Sequence, residues 1–492
     1  MPTTRSLVIG CLCALAAASA ARTLRAEFVA PPLTLDPSVL ALDAPASQPQ
    51  DWTDKAKNPM PGLTWGADER MRIEYGNNFI TLNEQAAGHE WDFFRYRTRL
   101  WASISPCADF TVNVRLIWEG RHWQNPTIND EHSDPRFYKK EWDNGQAEFD
   151  TLNVKLNLAP LNTTVTAGRQ DIVLGDGWLV LEGTPYDGST TIYFDAVRST
   201  TQFKDIQTAL DLIYINQYSS PDHWLPAIGD SDQPEIENNE RGAIVWLTNK
   251  SIQNLEIDPY FIYKHDSSAF SPTNPNAGKR QGADNADIYT FGTRLVENFT
   301  PNLMGRVEMA GQFGQKRSVS ANTPDVQSIC AWGMNSRLDY NFNDAMKNEF
   351  RLNFEYLSGN DNRDGNFDPL WGRWPQFSEL YVYTYAKETR IANTTNLLRI
   401  GTNYLVRPTS ACEIELDYNA LFANHETQNT AAPGFAGDGN FRGHLFSAIF
   451  RYKFNSHLAG HIWSEYLVPG NFYPDSNRDN AIYLRGELVL TF

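Results

Sequence analysis

The chain ends in Tyr483-Leu-Arg-Gly-Glu-Leu-Val-Leu-Thr-Phe492, where Leu484, Gly486, Leu488, Leu490 and Phe492 share one face at period two. A period-two strand closed by a C-terminal aromatic is how bacterial outer-membrane barrels end. The expected partners of such a strand are outer-membrane lipid and the barrel-assembly machinery. Any function then lies in a pore or a barrel wall.

The other end agrees. Arg5 precedes an apolar run from Leu7 to Ala18 and small residues through Ala21, the layout of a secretory signal peptide with cleavage after Ala20 or Ala26. Val8-Ile9-Gly10-Cys11 resembles a lipoprotein cleavage box but stands before the apolar region has properly begun. The expected division is a signal peptide over 1–26, a flexible periplasmic segment over 27–63 and a transmembrane barrel over 64–492. No linker divides the 492 residues further.

Composition excludes the helical alternative. A mean hydropathy of -0.47 and the lack of an 18-residue apolar run beyond the signal region rule out spanning helices. Aromatics at 13%, with 14 Trp and 21 Tyr, instead fit alternating strands with interfacial aromatic belts.

The alternation is explicit from Arg95, where Arg95, Arg97, Arg99 and Ser103 interleave with Tyr96, Thr98, Leu100, Ala102 and Ile104. After a turn at Pro106 to Asp109, Phe110, Val112, Val114, Leu116 and Trp118 interleave with Thr111, Asn113, Arg115, Glu119 and Arg121, which makes a hairpin. The same grammar returns around Phe350 to Tyr356 and Cys412 to Ala420. It predicts strands near 64–77, 92–105, 110–122, 147–158, 163–172, 192–204, 205–218, 240–251 and 253–266. Further strands are predicted near 286–299, 303–316, 327–341, 347–359, 395–407, 411–423, 441–455, 457–469 and 481–492. The fold class is therefore an all-β, antiparallel transmembrane β-barrel of about 18 strands.

Connection lengths alternate as well. Links after even strands are short, as at Ala159 to Asn162, Thr300 to Asn302 and Pro408 to Ser410, while links after odd strands are long, notably 123–146, 173–191, 219–239 and 360–394. Short periplasmic turns and long extracellular loops put both termini in the periplasm. A barrel this wide has room for an aqueous lumen, and its charged strand face argues against a soluble sandwich or propeller, whose second face would be apolar.

With the apolar face toward lipid, the expected lumen receives Arg70, Arg72, Arg95, Arg97, Arg99, Arg115, Arg169, Arg294, Arg306, Arg337, Arg351, Arg399, Arg451, Lys453 and Arg485. The chain as a whole carries a formal charge of -17, so basic residues concentrate inside against the bulk balance. Guanidinium groups lining a pore favour carboxylates through paired hydrogen bonds. The competing reading is that these arginines brace the wall against inward carboxylates such as Glu119, Glu308, Glu349, Glu355, Glu413, Asp417 and Glu487.

Five motifs carry a family resemblance. Gly168-Arg169-Gln170, Gly175-Asp176 and Phe194-Asp195-Ala196-Val197-Arg198 resemble the pattern of the alginate-export family of outer-membrane barrel porins. Arg95-Tyr96-Arg97-Thr98-Arg99 resembles an early arginine-alternating strand of its members, and Phe367-Asp368-Pro369-Leu370 a loop motif. The likeness spans roughly 64–492. It implies an eighteen-stranded barrel whose arginine-rich constriction passes anionic polyuronate, with Arg169 pointing inward. Two positions depart from the pattern: Trp178 stands where many members carry a basic residue, and Asp171 is acidic on the face of Arg169.

Other signals stay below function. Asn360-Asp361-Asn362-Arg363-Asp364-Gly365 partly resembles a calcium loop, but Trp371 stands where the bidentate Glu belongs. The acidic stretch with Asp222, Asp230, Asp232, Glu235 and Glu237 reads as a solvated outer surface. His457 and His461 sit on a strand rather than a helix, and Cys107, Cys330 and Cys412 are an odd set without a disulfide framework. No nucleophile elbow, phosphate loop or dinucleotide motif is present. The reading is a non-enzymatic channel for anionic solutes, with no cofactor, metal or nucleic-acid partner. The alternatives are an unselective porin, a barrel-embedded enzyme using Glu413 and Asp417, and an adhesin.

Overall fold

A computed structural model describes residues 52–86, 88–125, 142–181, 193–218, 224–228, 239–267, 286–317, 326–359, 365–372, 375–386, 395–425 and 437–492. The expected signal peptide, the residues at 360–364 and the acidic stretch from Asp230 to Glu237 lie outside them, as does Asp222. A short helix α1 (Trp52–Lys57) precedes the first strand, and its Ala56 carbonyl accepts a 2.8 Å hydrogen bond from Trp65 Nε1.

Eighteen strands follow: β1 (Leu63–Asn77), β2 (Glu90–Cys107), β3 (Phe110–Asn125), β4 (Trp142–Leu158), β5 (Thr163–Gln170) and β6 (Phe194–Phe203). Then come β7 (Thr208–Gln217), β8 (Asn239–Ile252), β9 (Leu255–Ser267), β10 (Ala286–Asn298), β11 (Leu303–Arg317) and β12 (Val326–Asn341). The last are β13 (Glu349–Leu357), β14 (Leu397–Thr409), β15 (Cys412–Phe422), β16 (Phe441–Lys453), β17 (Leu458–Pro469) and β18 (Ala481–Thr491). A second helix, α2 (Glu379–Ala386), lies between β13 and β14.

Every strand pairs antiparallel with its chain neighbours, and β18 returns to β1 from Asp68↔Thr491 to Asn77↔Ile482. Closure leaves no open edge, so each backbone donor and acceptor can be satisfied in a hydrocarbon environment. Phe492 is tied into the seam: its N–H donates to the Ala67 carbonyl at 2.8 Å and its ring lies 5.1 Å from Trp65.

The two faces of the sheet differ as the alternation predicts. Met71, Ile73, Leu100, Phe291, Trp332, Leu352, Ile400, Ile462 and Leu490 are exposed on the outside, an apolar belt of the kind that faces lipid in outer-membrane barrels. Short turns gather at one end with the chain's β1 start and β18 finish, and long connections at the other.

The interior departs from a uniformly polar lumen. Trp91, Phe93, Trp123, Trp246, Tyr260, Ile262 and Ile288 point inward and pack with residues of the long connections into one apolar core inside the barrel. Two connections supply most of that packing: the stretch after β5, with Ile172, Leu174, Trp178, Leu179 and Val180, and the stretch before β14, with Phe367, Leu370, Trp371, Leu380 and Tyr381. The core of this protein therefore sits within the cylinder.

Candidate functional site

The arginines expected in the lumen fall on the inner face, and each has a carboxylate within 4.0 Å. On the first wall, β1 sets Arg70 opposite Arg97 and Arg72 opposite Arg95 of β2. Arg95 holds Glu119 in a fork at 2.8 and 3.0 Å, and Arg70 lies 3.7 Å from the same carboxylate. Arg72 bonds Glu487, Arg97 reaches Asp68 at 3.3 Å, and Arg99 takes Asp68 at 2.9 and 3.1 Å. Arg485, fully buried, joins Glu74 at 3.2 Å to Glu379 of α2 at 2.6 Å. The wall-brace reading of these residues thus has a definite geometry: although Arg70 and Arg72 stand opposite Arg97 and Arg95, each guanidinium of this wall has a carboxylate within 4.0 Å.

Arg169, in the Gly-Arg-Gln motif, forks onto Asp195 at 3.0 and 3.2 Å and lies 3.6 Å above the Tyr193 ring. Gly168 precedes it at φ +120, and a Cβ there would stand 2.4 Å from the Leu152 carbonyl oxygen. Only glycine permits that approach, which brings the Asn153 amide within 3.0 Å of the Arg169 carbonyl. Arg115 spans Asp150 at 2.8 Å and Asp171 at 2.9 Å, so the unexpected acid at 171 anchors the start of the inward stretch.

The opposite wall contributes Arg294, Arg306, Arg337, Arg351 and Arg399 from five successive strands, β10 to β14, around a cavity of ≈ 220 Å³. Arg337 pairs with Asp339 at 2.8 Å, Arg351 with Glu349, and Arg399 with Glu355 at 3.0 Å. On β16, Arg451 bridges Glu413 at 2.8 Å and Glu415 at 2.6 Å. Asp417 accepts from Asn403, so the carboxylates weighed for an enzymatic role are already engaged by wall side chains.

The two inward stretches close over this cavity. Trp178 donates to Glu355 at 3.1 Å and stacks on Phe367 at 5.6 Å and 17°. Trp371 N and Gly372 N donate to the Leu179 carbonyl at 3.0 and 2.9 Å, and the Gln376 amide donates to the carbonyls of Asp176 at 3.3 Å and Gly177 at 2.8 Å. Their anchors on the walls are Trp371 to Glu240 at 3.0 Å, Gln312 to the Asp368 carbonyl at 2.7 Å, and the Glu465 carboxylate taking the Glu379 N–H at 2.7 Å. The Gly-Asp and Phe-Asp-Pro-Leu motifs are thus the parts that narrow the barrel. In the sequence they stand on separate connections, one after β5 and one before β14.

Some inner residues had no signal of the expected kind. Arg442 is buried and donates to the Thr395 and Asn396 carbonyls at 3.0 Å, although its parity on β16 places it outward. A bulge at Gly443, φ +141, shifts the register between Leu421 and Phe422 and turns it inside. Lys264, buried between Glu240 at 3.5 Å and Asp266 at 3.1 Å, belongs to the same inner set. Among the described residues no group of side chains is arranged to hold a metal, and the three cysteines are unbridged.

No curated protein matches the chain in sequence. Solved structures that share the fold include Acinetobacter baumannii OccAB1, at TM-score 0.54 and 10% identity, covering 88% of this chain and 97% of that one. Pseudomonas aeruginosa OccK8 (OprE) follows at 0.52 and 11%, covering 87% and 98%, and Pseudomonas aeruginosa OpdK with vanillate at 0.51 and 9%, covering 87% and 98%. The sequence profile of the alginate-export family matches residues 63–486. With its closed barrel and arginine-bearing inner wall, the chain belongs to the alginate-export family and is an outer-membrane β-barrel channel.

Proposed function

We propose that this channel passes anionic solutes, and that its substrate class is polyuronate of the alginate type or its oligomers. Its termini then lie in the periplasm and its long connections outside the cell. The observation that carries the reading is that Arg294 and Arg306, on the wall of the central cavity, already take a carboxylate delivered by a connection: Asp176 lies at 3.1 Å from each. A wall that accepts a connection's carboxylate in paired, charge-assisted hydrogen bonds has the chemistry to accept those of a uronate chain. Family membership supports the same substrate.

The pairing of wall arginines with wall carboxylates favours a second reading, an unselective porin whose charges only brace the barrel. Proteoliposomes separate the two. Oligouronates should enter faster than neutral malto-oligosaccharides of equal length, and equal rates would support the unselective porin.

A further inference from the structure

Most wall arginines draw their counter-charge from their own or an adjacent strand: Arg95 from Glu119, Arg337 from Asp339, Arg399 from Glu355. Arg306 does not. The wall carboxylate nearest to it is Asp339, at 3.8 Å, and its hydrogen-bonded carboxylate is Asp176 of the connection after β5, at 3.1 Å from Nη1. Its buried Nε has no hydrogen-bond partner, and neither has Nη2 of the adjacent Arg337, whose Cα is the register partner of Arg306. Arg294 completes the set, gripping Asp176 through Nε at 3.1 Å and Nη2 at 3.2 Å.

Asp176 is also the accessible member of the cluster. Its side chain is 36% exposed, against 10% for Arg294 and Arg306, so the carboxylate meets the cavity from the open side. It reaches the arginines because Gly175 adopts φ +58, and a Cβ at that position would lie 2.9 Å from Arg294 Cδ.

We infer that Arg294, Arg306 and Arg337 form a carboxylate-binding subsite for single uronate units, and that Asp176 is a tethered carboxylate occupying it until substrate displaces it. This rests on the anionic-solute reading above. The exchange is isoelectric: one carboxylate leaves the guanidinium pair as another arrives, and the donors left over on Arg306 and Arg337 give the incoming ligand hydrogen bonds that Asp176 does not use. A tethered competitor acts at high effective concentration and weakens the apparent affinity for free ligand. Releasing Asp176 also releases one of the contacts that hold the inward stretch, which couples binding to widening of the passage.

The test uses the full-length protein in planar bilayers, with sodium glucuronate as probe and glucose as neutral control. In Asp176→Asn the glucuronate concentration giving half-maximal block should fall roughly tenfold, and glucose should remain without effect. In Arg306→Gln, which leaves the Arg294 fork on Asp176 intact, that concentration should rise. Unchanged or weakened glucuronate block in a heat-modifiable, folded Asp176→Asn barrel overturns the subsite. If Asp176→Asn yields no folded barrel, Arg306→Gln decides, and unchanged block there overturns it equally. A strengthened glucuronate block in Asp176→Asn together with oligouronate flux no faster than neutral flux keeps the subsite and sinks only the polyuronate substrate.

Discussion

Replacing Glu119 by Leu should cost the barrel about 3–5 kcal/mol. Glu119 accepts both the Nε and Nη2 hydrogens of Arg95 at 2.8 and 3.0 Å, a third bond from Arg121 at 3.2 Å, and faces Arg70 at 3.7 Å. Arg95 is fully buried, so loss of the carboxylate leaves a guanidinium cluster in a low-dielectric wall with its main counter-charge gone. The paired variant Arg95→Leu with Glu119→Leu should recover most of the loss, because a buried ion pair exchanged for apolar side chains is close to neutral. Urea unfolding of the protein in phospholipid vesicles, followed by tryptophan fluorescence, measures both. An unfolding midpoint for Glu119→Leu equal to that of the parent would mean that solvent, rather than pairing, carries these arginines.

Trp178→Ala should change conduction more than it changes the barrel. Trp178 is nearly buried, stacked on Phe367 and bonded to Glu355, and its removal leaves a cavity where the two inward stretches meet. Truncating a buried tryptophan costs about 3–5 kcal/mol. Here that cost falls on the seating of the stretches, since the closed hydrogen-bond ladder of the eighteen strands is untouched. Single-channel conductance should rise several-fold, while Trp178→Phe, which keeps the stacking, should stay near the parent. Unchanged conductance in a folded Trp178→Ala barrel would place the narrowest passage elsewhere.

The strands were legible because lipid outside and polar side chains inside impose strict period two, and a closed barrel lets no strand escape the rule. Arg95, Arg97 and Arg99 on β2 show it directly. The bulge at Gly443 breaks the parity, and Arg442 was lost with it. Inward apolar residues such as Trp246 and Tyr260, stacked at 4.5 Å, also escaped, since alternation says which face a residue takes and not what a folded-in connection will bring to it. The same limit hid the constriction. Gly175-Asp176 and Phe367-Asp368-Pro369-Leu370 stood out as motifs, yet their meeting across nearly two hundred residues is a tertiary fact carried by Trp178, Trp371 and Gln376. Trp178, conspicuous in the sequence as a departure from a basic residue, proves to be the side chain that seats one stretch on the other.

The central claim is that the arginine wall around the constriction favours anions although the chain as a whole is acidic. The reversal potential of the unmodified channel in a planar bilayer under a potassium chloride gradient tests it most directly. The account predicts a potential of the sign set by chloride flow. A potential at zero, or one set by potassium, would contradict it and leave the arginines as braces of the barrel wall.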